Sequence, residues 1–294
     1  MINYKAINTP KDINSTGWKK ILLRVKDRIE ENNLTIVAAG VAFYAFLAIF
    51  PALMAIISVY GLVINPQQIE QQISQISGMV PEEAFSIIET RIENLVSTQG
   101  STLGWGTTLG ILISLWVANA GTKSLFTGLD IAYDIKNDRG FIKQNAITLL
   151  FTLGAIITLI LSLILIVGFP AIVKAFNLPG NIETLVSWLR WPLLAIIVIL
   201  FISMIYRYAA DRETPEFKWV ITGAVLATLL WLLASLAFSY YVSNFGNYGE
   251  MYGAISAVVI LMLWLYLTCL IILVGGEVNS ASENYAEYRL EKPE

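Results

Sequence analysis

Six long stretches without a charged side chain divide this chain of 294 residues and restrict its fold more than any other feature. They comprise residues 32–69, 94–122, 144–173, 191–206, 219–249 and 251–276. A helix crosses the hydrocarbon core of a bilayer with about 20 apolar residues, and only the fourth stretch falls short of that length. Helices satisfy their own backbone hydrogen bonds in lipid, whereas these stretches are too long for the strands of a barrel. The sequence therefore predicts six membrane-spanning α-helices.

The distribution of lysine and arginine predicts how these helices are oriented. Basic residues are concentrated before the first stretch, in the second and fourth connections and in the C-terminal tail. The other connections hold only Arg91, Lys174 and Arg190. Because the cytoplasmic loops of membrane proteins carry the excess of Lys and Arg, both termini are predicted to be cytoplasmic. The predicted fold class is an all-α, polytopic membrane bundle of six helices with additional amphipathic interfacial helices.

We expect a single membrane domain covering residues 1–294. Its spans are predicted at about 34–64, 103–132, 146–170, 188–208, 217–242 and 251–276. Residues 1–31 are predicted to contain a cytoplasmic amphipathic helix in the headgroup layer, because Trp18, Ile21, Leu22 and Val25 recur at helical spacing among basic residues. Residues 66–102 are predicted to form an external helical cap, with an ordinary covering loop as the alternative.

Composition argues against most catalytic and metal-binding classes. The chain has no histidine and one cysteine, Cys269, which falls inside the sixth predicted span. Histidine-based acid–base chemistry, histidine metal sites and cysteine frameworks are therefore absent, and no glycine-rich phosphate loop occurs. The net charge of −3 offers no reason to expect a nucleic-acid partner. We predict neither enzymatic activity nor a cofactor, and we expect membrane lipids as partners.

Polar residues inside the second predicted span are the strongest candidates for a functional site. At 100° per residue, one narrow sector of this helix holds Trp116, Asn119, Lys123, Thr127 and Asp130. Helical side chains lean toward the helix N-terminus, so Lys123 leans toward Asn119 and away from the cytoplasm. Ionisable groups at membrane depth usually face a cavity or a partner. Lys123 is therefore predicted to face a polar cavity, with snorkelling to the cytoplasm as the alternative.

The sixth span offers a partner for Lys123, and the first span contributes a further residue to the predicted cavity. Ser256, Tyr266 and Glu277 share a face of the sixth span, and Tyr44 lies on a polar face of the first. Lys123 is predicted to pair with Glu277 or with Asp130, although Glu277 could also be a simple interfacial residue. Pro51 interrupts the first span and is a candidate hinge, with a static kink as the alternative.

Three separated segments carry a resemblance to a known family. They are Ala38 to Tyr44 continuing to Pro51, Trp116 to Tyr133 followed by Arg139 and Phe141, and Tyr252 to Ile255 followed by Leu263 to Tyr266 and Gly275 to Asn279. In these segments the chain resembles the YihY/BrkB family, which was once labelled ribonuclease BN. Asp130 departs from the Asn expected there, and Gly276 from the commoner Ala. The resemblance implies a multi-pass protein of the bacterial plasma (inner) membrane and no settled activity.

The function predicted from these features is to bind or translocate a lipid-like or amphiphilic molecule. A polar cavity between spans one, two and six would receive it, with Lys123 at an anionic head group. The alternative is a non-transporting scaffold or envelope-integrity protein whose polar stripes only hold helices together. Ribonuclease activity is not expected, because no cluster of carboxylates suits Mg²⁺. Substrate and oligomeric state stay open.

Overall fold

The structure is a computed structural model that describes residues 9–63, 105–168, 180–212, 215–245 and 255–291. Within these ranges all regular structure is helical, which confirms the predicted all-α class there. The main helices are α1 (Ser15–Glu31), α2 (Leu34–Val63), α3 (Trp105–Ala132), α4 (Phe141–Leu163), α5 (Gly180–Tyr208), α6 (Phe217–Phe245) and α7 (Ile255–Glu291). A 3₁₀ turn, Pro10–Asp12, precedes α1, and a π-helical turn, Ile164–Gly168, continues α4. The predicted external cap at 66–102 lies outside the described residues.

The chain divides into two compact units. The larger unit combines Met1–Phe46 with Asn119–Glu294, and the smaller unit is Leu47–Ala118. The smaller unit holds the second half of α2, including Pro51 inside the helix, and the first half of α3. All side-chain clusters described below belong to the larger unit.

Several helices have the length and hydropathy of membrane spans. Among the described residues they are Phe141–Ile166, Trp188–Tyr208, Phe217–Val242 and Ser256–Ala286. A fifth span results if Ser15–Glu31 and Leu34–Ile49, which meet at a bend of 66°, are counted as one. The described part of the chain therefore supports four or five spans, whereas the sequence predicts six.

Helix α7 extends well past the predicted end of the last span. Its 37 residues make it roughly 55 Å long at 1.5 Å per residue, whereas the hydrocarbon core is about 30 Å thick. Residues 277–282, among them Val278 and Ala281, are buried in protein. Hydropathy alone placed the boundary at the first charge, Glu277, because it cannot distinguish a helix covered by lipid from one covered by another helix.

The neighbour that covers this end of α7 is α1. Ile21 and Val25 of α1 are buried in one cluster with Val278 and Ala281 of α7. Asn14 caps the N-terminus of α1, because its side-chain oxygen accepts a hydrogen bond from the Gly17 N–H at 2.7 Å. The apolar face of α1 therefore contacts α7, and the placement of α1 in the headgroup layer stays a prediction. Leu22, which the sequence assigned to the same face, is exposed.

Helices α5, α6 and α7 approach one another closely near the same end. A side chain at Gly223 of α6 would collide with the Gly275 carbonyl oxygen of α7. Asn279 accepts a hydrogen bond from the Gly223 N–H at 2.8 Å and donates one to the Val220 carbonyl at 3.2 Å. The Tyr206 hydroxyl of α5 donates to the Ile272 carbonyl at 2.7 Å. Small residues and buried hydrogen bonds together hold these three helices in register.

Candidate functional site

A cavity of about 590 Å³ lies between α4 and α5, within the usual size range of ligand sites. Its apolar wall consists of Ile147, Leu150, Phe151 and Gly154 from α4 with Phe201 and Met204 from α5. Its polar mouth contains Arg139, Lys143, Arg207, Tyr208, Asp211 and Arg212, beside Ala210. We call this site the α4–α5 groove. It combines a strongly basic end with an apolar interior.

The order of residues along the helices sets the polarity of the groove. Lys143, Ile147, Leu150 and Gly154 recur at helical spacing and share one face of α4. The eleven residue steps from Lys143 to Gly154 correspond to a rise of roughly 16 Å. On the antiparallel helix α5 the order is reversed, so Arg207 lies at the basic end and Phe201 opposite Gly154. A Cβ atom on Gly154 would lie 3.2 Å from the Phe201 ring.

The apolar wall of the groove is accessible from the side of the bundle. Leu150 is 66% exposed and Met204 is 46% exposed. Leu150 belongs to a series of exposed apolar side chains on α4 that also includes Leu153, Ile157 and Leu161. A contiguous apolar surface of this kind indicates contact with something other than water, and in a membrane bundle that environment is lipid. The groove can therefore be entered laterally from the bilayer.

Arg139 is fully engaged in holding the end of α5. Its Nε donates to Asp211 at 2.9 Å, and its terminal nitrogens donate to the carbonyls of Tyr208, Ala209 and Ala210 at 3.1, 2.8 and 2.8 Å. The last carbonyls of a helix have no partner within the helix, and the helix dipole favours a cation there. Arg139 thus fixes the connection before α4 onto the end of α5.

Arg212 is also neutralised within the protein. It forms an ion pair with Glu283 of α7, and its guanidinium carbon lies 4.0 Å from the centre of the Tyr133 ring. Burial raises the pKa of the Tyr133 hydroxyl, against a smaller opposing effect of the Arg212 charge. Tyr133 is therefore a neutral partner, and Arg212 joins the end of α3 to α7.

Lys143 and Arg207 differ from these two arginines. Neither has a carboxylate partner among the residues that the structure describes. Arg207 stacks on aromatic rings, with its guanidinium carbon 4.1 Å from the centre of Phe217 and 5.5 Å from that of Tyr208. Its Nε is buried without a hydrogen-bond acceptor in the described part of the chain. Two cations at the mouth of the groove therefore retain charge for a ligand.

A family model described as virulence factor BrkB matches residues 25–294, which is nearly the whole chain. The chain belongs to the BrkB family. This confirms the resemblance that the three sequence segments indicated.

Individual relatives support the same assignment. YfkH of Bacillus subtilis, whose name describes it as ribonuclease-like, is 28% identical over 247 residues, covering 83% of this chain and 88% of that protein. A UPF0761 membrane protein of Mannheimia succiniciproducens is 23% identical over 263 residues, or 86% of each chain. Another, of Idiomarina loihiensis, is 33% identical over 108 residues, 37% of each chain. No solved structure matches the chain.

Glu277 of this BrkB-family protein is paired differently from the sequence prediction. Its carboxylate is fully buried and lies 2.5 Å from the Nε of Arg28, whose side chain is 9% exposed. The contact is ionic, without the alignment of a hydrogen bond. The partner that the structure provides is thus Arg28 rather than Lys123. The sequence could not indicate this pair, because Arg28 was one of seven basic residues before the first span.

Lys123 and Asp130 lie in separate surroundings. The Lys123 ammonium is 5.9 Å from the centre of the Phe141 ring at the start of α4. The Asp130 carboxylate accepts a hydrogen bond from the Asn137 side chain at 2.9 Å and from the Asp211 N–H at 3.3 Å. Asp130 therefore organises the connection after α3.

Asn119 links α3 to α4. It is fully buried, and its side-chain oxygen accepts a hydrogen bond from Thr152 at 3.1 Å. The Thr152 hydroxyl also lies 2.8 Å from that of Thr122. This polar cluster joins two helices, which is the role that the scaffold alternative assigns to such residues.

The remaining predicted residues are dispersed. Tyr44 is half exposed and lies edge-on to Phe43, with 5.5 Å between the ring centres. Tyr266 packs partly buried against the core of the larger unit, and Ser256 is partly buried near the start of α7. None of the seven predicted cavity residues lines the α4–α5 groove. A cavity between spans one, two and six stays a prediction, as does the hinge at Pro51.

The residues that do line the groove were present in the sequence argument in another role. Lys143 and Arg207 counted only toward membrane orientation, and Arg139 toward orientation and the family resemblance. A usable signal existed in the third span, where Lys143 begins a face that continues through Ile147 and Leu150 to Gly154. Its pairing with α5 was not visible, because no sequence pattern specifies which two helices are neighbours.

Proposed function

We propose that this BrkB-family protein crosses the bacterial plasma membrane six times, with both termini in the cytoplasm, and binds a lipid-like amphiphile in the α4–α5 groove. The observation that carries the proposal is the groove itself, which joins a basic mouth to an apolar interior open toward lipid. An amphiphile has a matching division between a polar head and apolar tails. Because the groove from Lys143 to Gly154 extends over about one leaflet, it supports binding within a leaflet better than translocation.

The charge distribution of the groove supports the proposed orientation. Its basic residues come from the two connections that the positive-inside rule assigns to the cytoplasm. Arg139 of one connection is hydrogen-bonded to Asp211 of the other, so the two connections meet at the same end of the bundle. This is the arrangement expected when α4 and α5 are antiparallel spans.

Reporter fusions test the topology. We expect a fluorescent protein fused to either terminus to fluoresce and alkaline phosphatase fused to either terminus to be inactive, because both ends stay in the cytoplasm. Phosphatase fused after residue 95, between the first two predicted spans, is the matched control and should be active. Phosphatase activity at either terminus would contradict the proposed topology.

Filling the groove tests the binding function. Gly154→Leu places a branched side chain against the Phe201 ring, in the space that the apolar tail of a bound lipid would occupy. We expect retention of lipid to fall at least about tenfold. The measurement is native mass spectrometry of purified protein after gentle delipidation.

Ala155→Leu provides the matched control, since it adds the same side chain one residue later. Ala155 is exposed and does not line the groove, so lipid retention should equal that of the wild type. If Gly154→Leu and Ala155→Leu retained the same amount of lipid, the groove would not be the lipid-binding site. That result would favour the scaffold alternative, which the helix-to-helix contacts of Asn119 and Asn279 support.

A further inference from the structure

Resting on the proposed function, we infer that the head group bound at the α4–α5 groove is an anionic phosphate ester, held by Lys143 and Arg207. The lipid belongs to the leaflet on the basic side of the protein, with an acyl chain lying along α4 toward Gly154. This assigns a ligand class to the site and separates its binding residues from the structural arginines beside them.

The first step concerns which charges are available. Four basic side chains line the mouth, but Arg139 is held by Asp211 and three carbonyls, and Arg212 by Glu283. A ligand that recruited either arginine would have to break those contacts. Lys143 and Arg207 have no such commitment among the described residues, so an anion gains their full attraction.

The second step concerns the chemistry of the head group. Arginine presents a planar fork of N–H donors that matches phosphate oxygens, and lysine contributes a compact charge that also binds phosphate well. The Arg207 guanidinium is positioned by the ring of Phe217 rather than by an acid, and its buried Nε lacks an acceptor in the described part of the chain. Basic pockets between helices on the cytoplasmic side of membrane proteins commonly receive anionic phospholipid head groups.

The third step concerns length. The rise from Lys143 to Gly154 is roughly 16 Å, and one leaflet contributes about half of a hydrocarbon core that is about 30 Å thick. If the phosphate of a lipid lies at Lys143, its acyl chain is therefore long enough to reach Gly154. Because Leu150 and Met204 are exposed along this path, the lipid can enter sideways without leaving its leaflet.

A series of lipids with identical acyl chains tests the inference. Purified wild-type protein is titrated with phosphatidylglycerol, phosphatidic acid, phosphatidylcholine and diacylglycerol, and bound lipid is counted by native mass spectrometry. We expect the two anionic phosphate lipids to bind roughly 10- to 30-fold more tightly than diacylglycerol. The affinity for phosphatidylcholine should lie between that for the anionic lipids and that for diacylglycerol. The double variant K143Q/R207Q should bind all four lipids about equally.

The control variant K19Q/K20Q removes the same number of charges from exposed positions of α1 and should keep the wild-type preference. Lys143 is itself exposed, so Lys143→Gln alone provides the test should the double variant not fold. An equal affinity of wild type for phosphatidylglycerol and diacylglycerol, with binding still blocked by Gly154→Leu, would overturn the phosphate inference and leave the groove as a lipid site. If neither K143Q/R207Q nor Gly154→Leu changed lipid binding, the inference and the proposed function would both be overturned.

Discussion

Replacing Arg28 by alanine should lower the free energy of unfolding by about 3–5 kcal/mol, the usual cost of leaving one charge of a buried pair without its partner. Glu277 is fully buried in contact with Arg28, so the substitution leaves a carboxylate in a poorly solvated site. The effect should also reach the contact between α1 and α3, because Arg28 donates a second contact, at 3.4 Å, to the Ala132 carbonyl at the end of α3. The measurement is thermal and denaturant unfolding in mild detergent, with tryptophan fluorescence as the probe.

Two further variants identify the cause of that loss. Lys26→Ala changes an exposed residue of the same helix and should alter stability by no more than about 0.5 kcal/mol. The double variant Arg28→Met with Glu277→Met should recover most of the loss, because a buried ion pair often contributes little beyond matched apolar packing. If the Arg28→Ala and Lys26→Ala variants unfolded at the same temperature and denaturant concentration, the Arg28–Glu277 pair would not contribute to stability.

Gly223→Ala and Gly40→Ala should change stability in opposite directions. A methyl group at Gly223 would meet the Gly275 carbonyl oxygen and the Asn279 amide. Helices α6 and α7 would have to separate and the hydrogen bonds of Asn279 would lengthen, so a loss of about 1–3 kcal/mol is expected. No atom in the described part of the chain lies within 4 Å of a methyl group at Gly40, and alanine is favoured over glycine inside a helix by about 0.5–1 kcal/mol.

The same unfolding assay measures both glycine variants, and each serves as the control for the other. A destabilised Gly40→Ala variant would indicate a neighbour at that position, and an unchanged Gly223→Ala variant would show that the helices can separate without loss. The second result would also weaken the view that Gly275 and Asn279, two residues of the C-terminal family segment, act by holding α6 and α7 together.

Much of the helical framework followed from one-dimensional patterns. Helices α2 to α7 occur where the six uncharged stretches predict spans. The family was predicted from three separated segments, the last of which ends with Gly275 to Asn279. What those segments do physically was not predictable. The contact of Glu277 with Arg28 was not indicated by any pattern, nor were the hydrogen bonds that the Asp130 carboxylate accepts from Asn137 and from the Asp211 N–H. The polar cavity predicted around Lys123 stays a prediction.

The sequence by itself determined that this chain is a helical membrane protein and approximately where α2 to α7 lie, because lipid is a uniform apolar solvent and selects long uncharged stretches regardless of their neighbours. Only the tertiary structure decided which helices touch. The packing of α1 on α7, the capping of α5 by Arg139 and the groove between α4 and α5 each depend on side chains far apart in the chain. Such contacts arise from shape and hydrogen-bond geometry between helices, which hydropathy and charge along the chain do not encode.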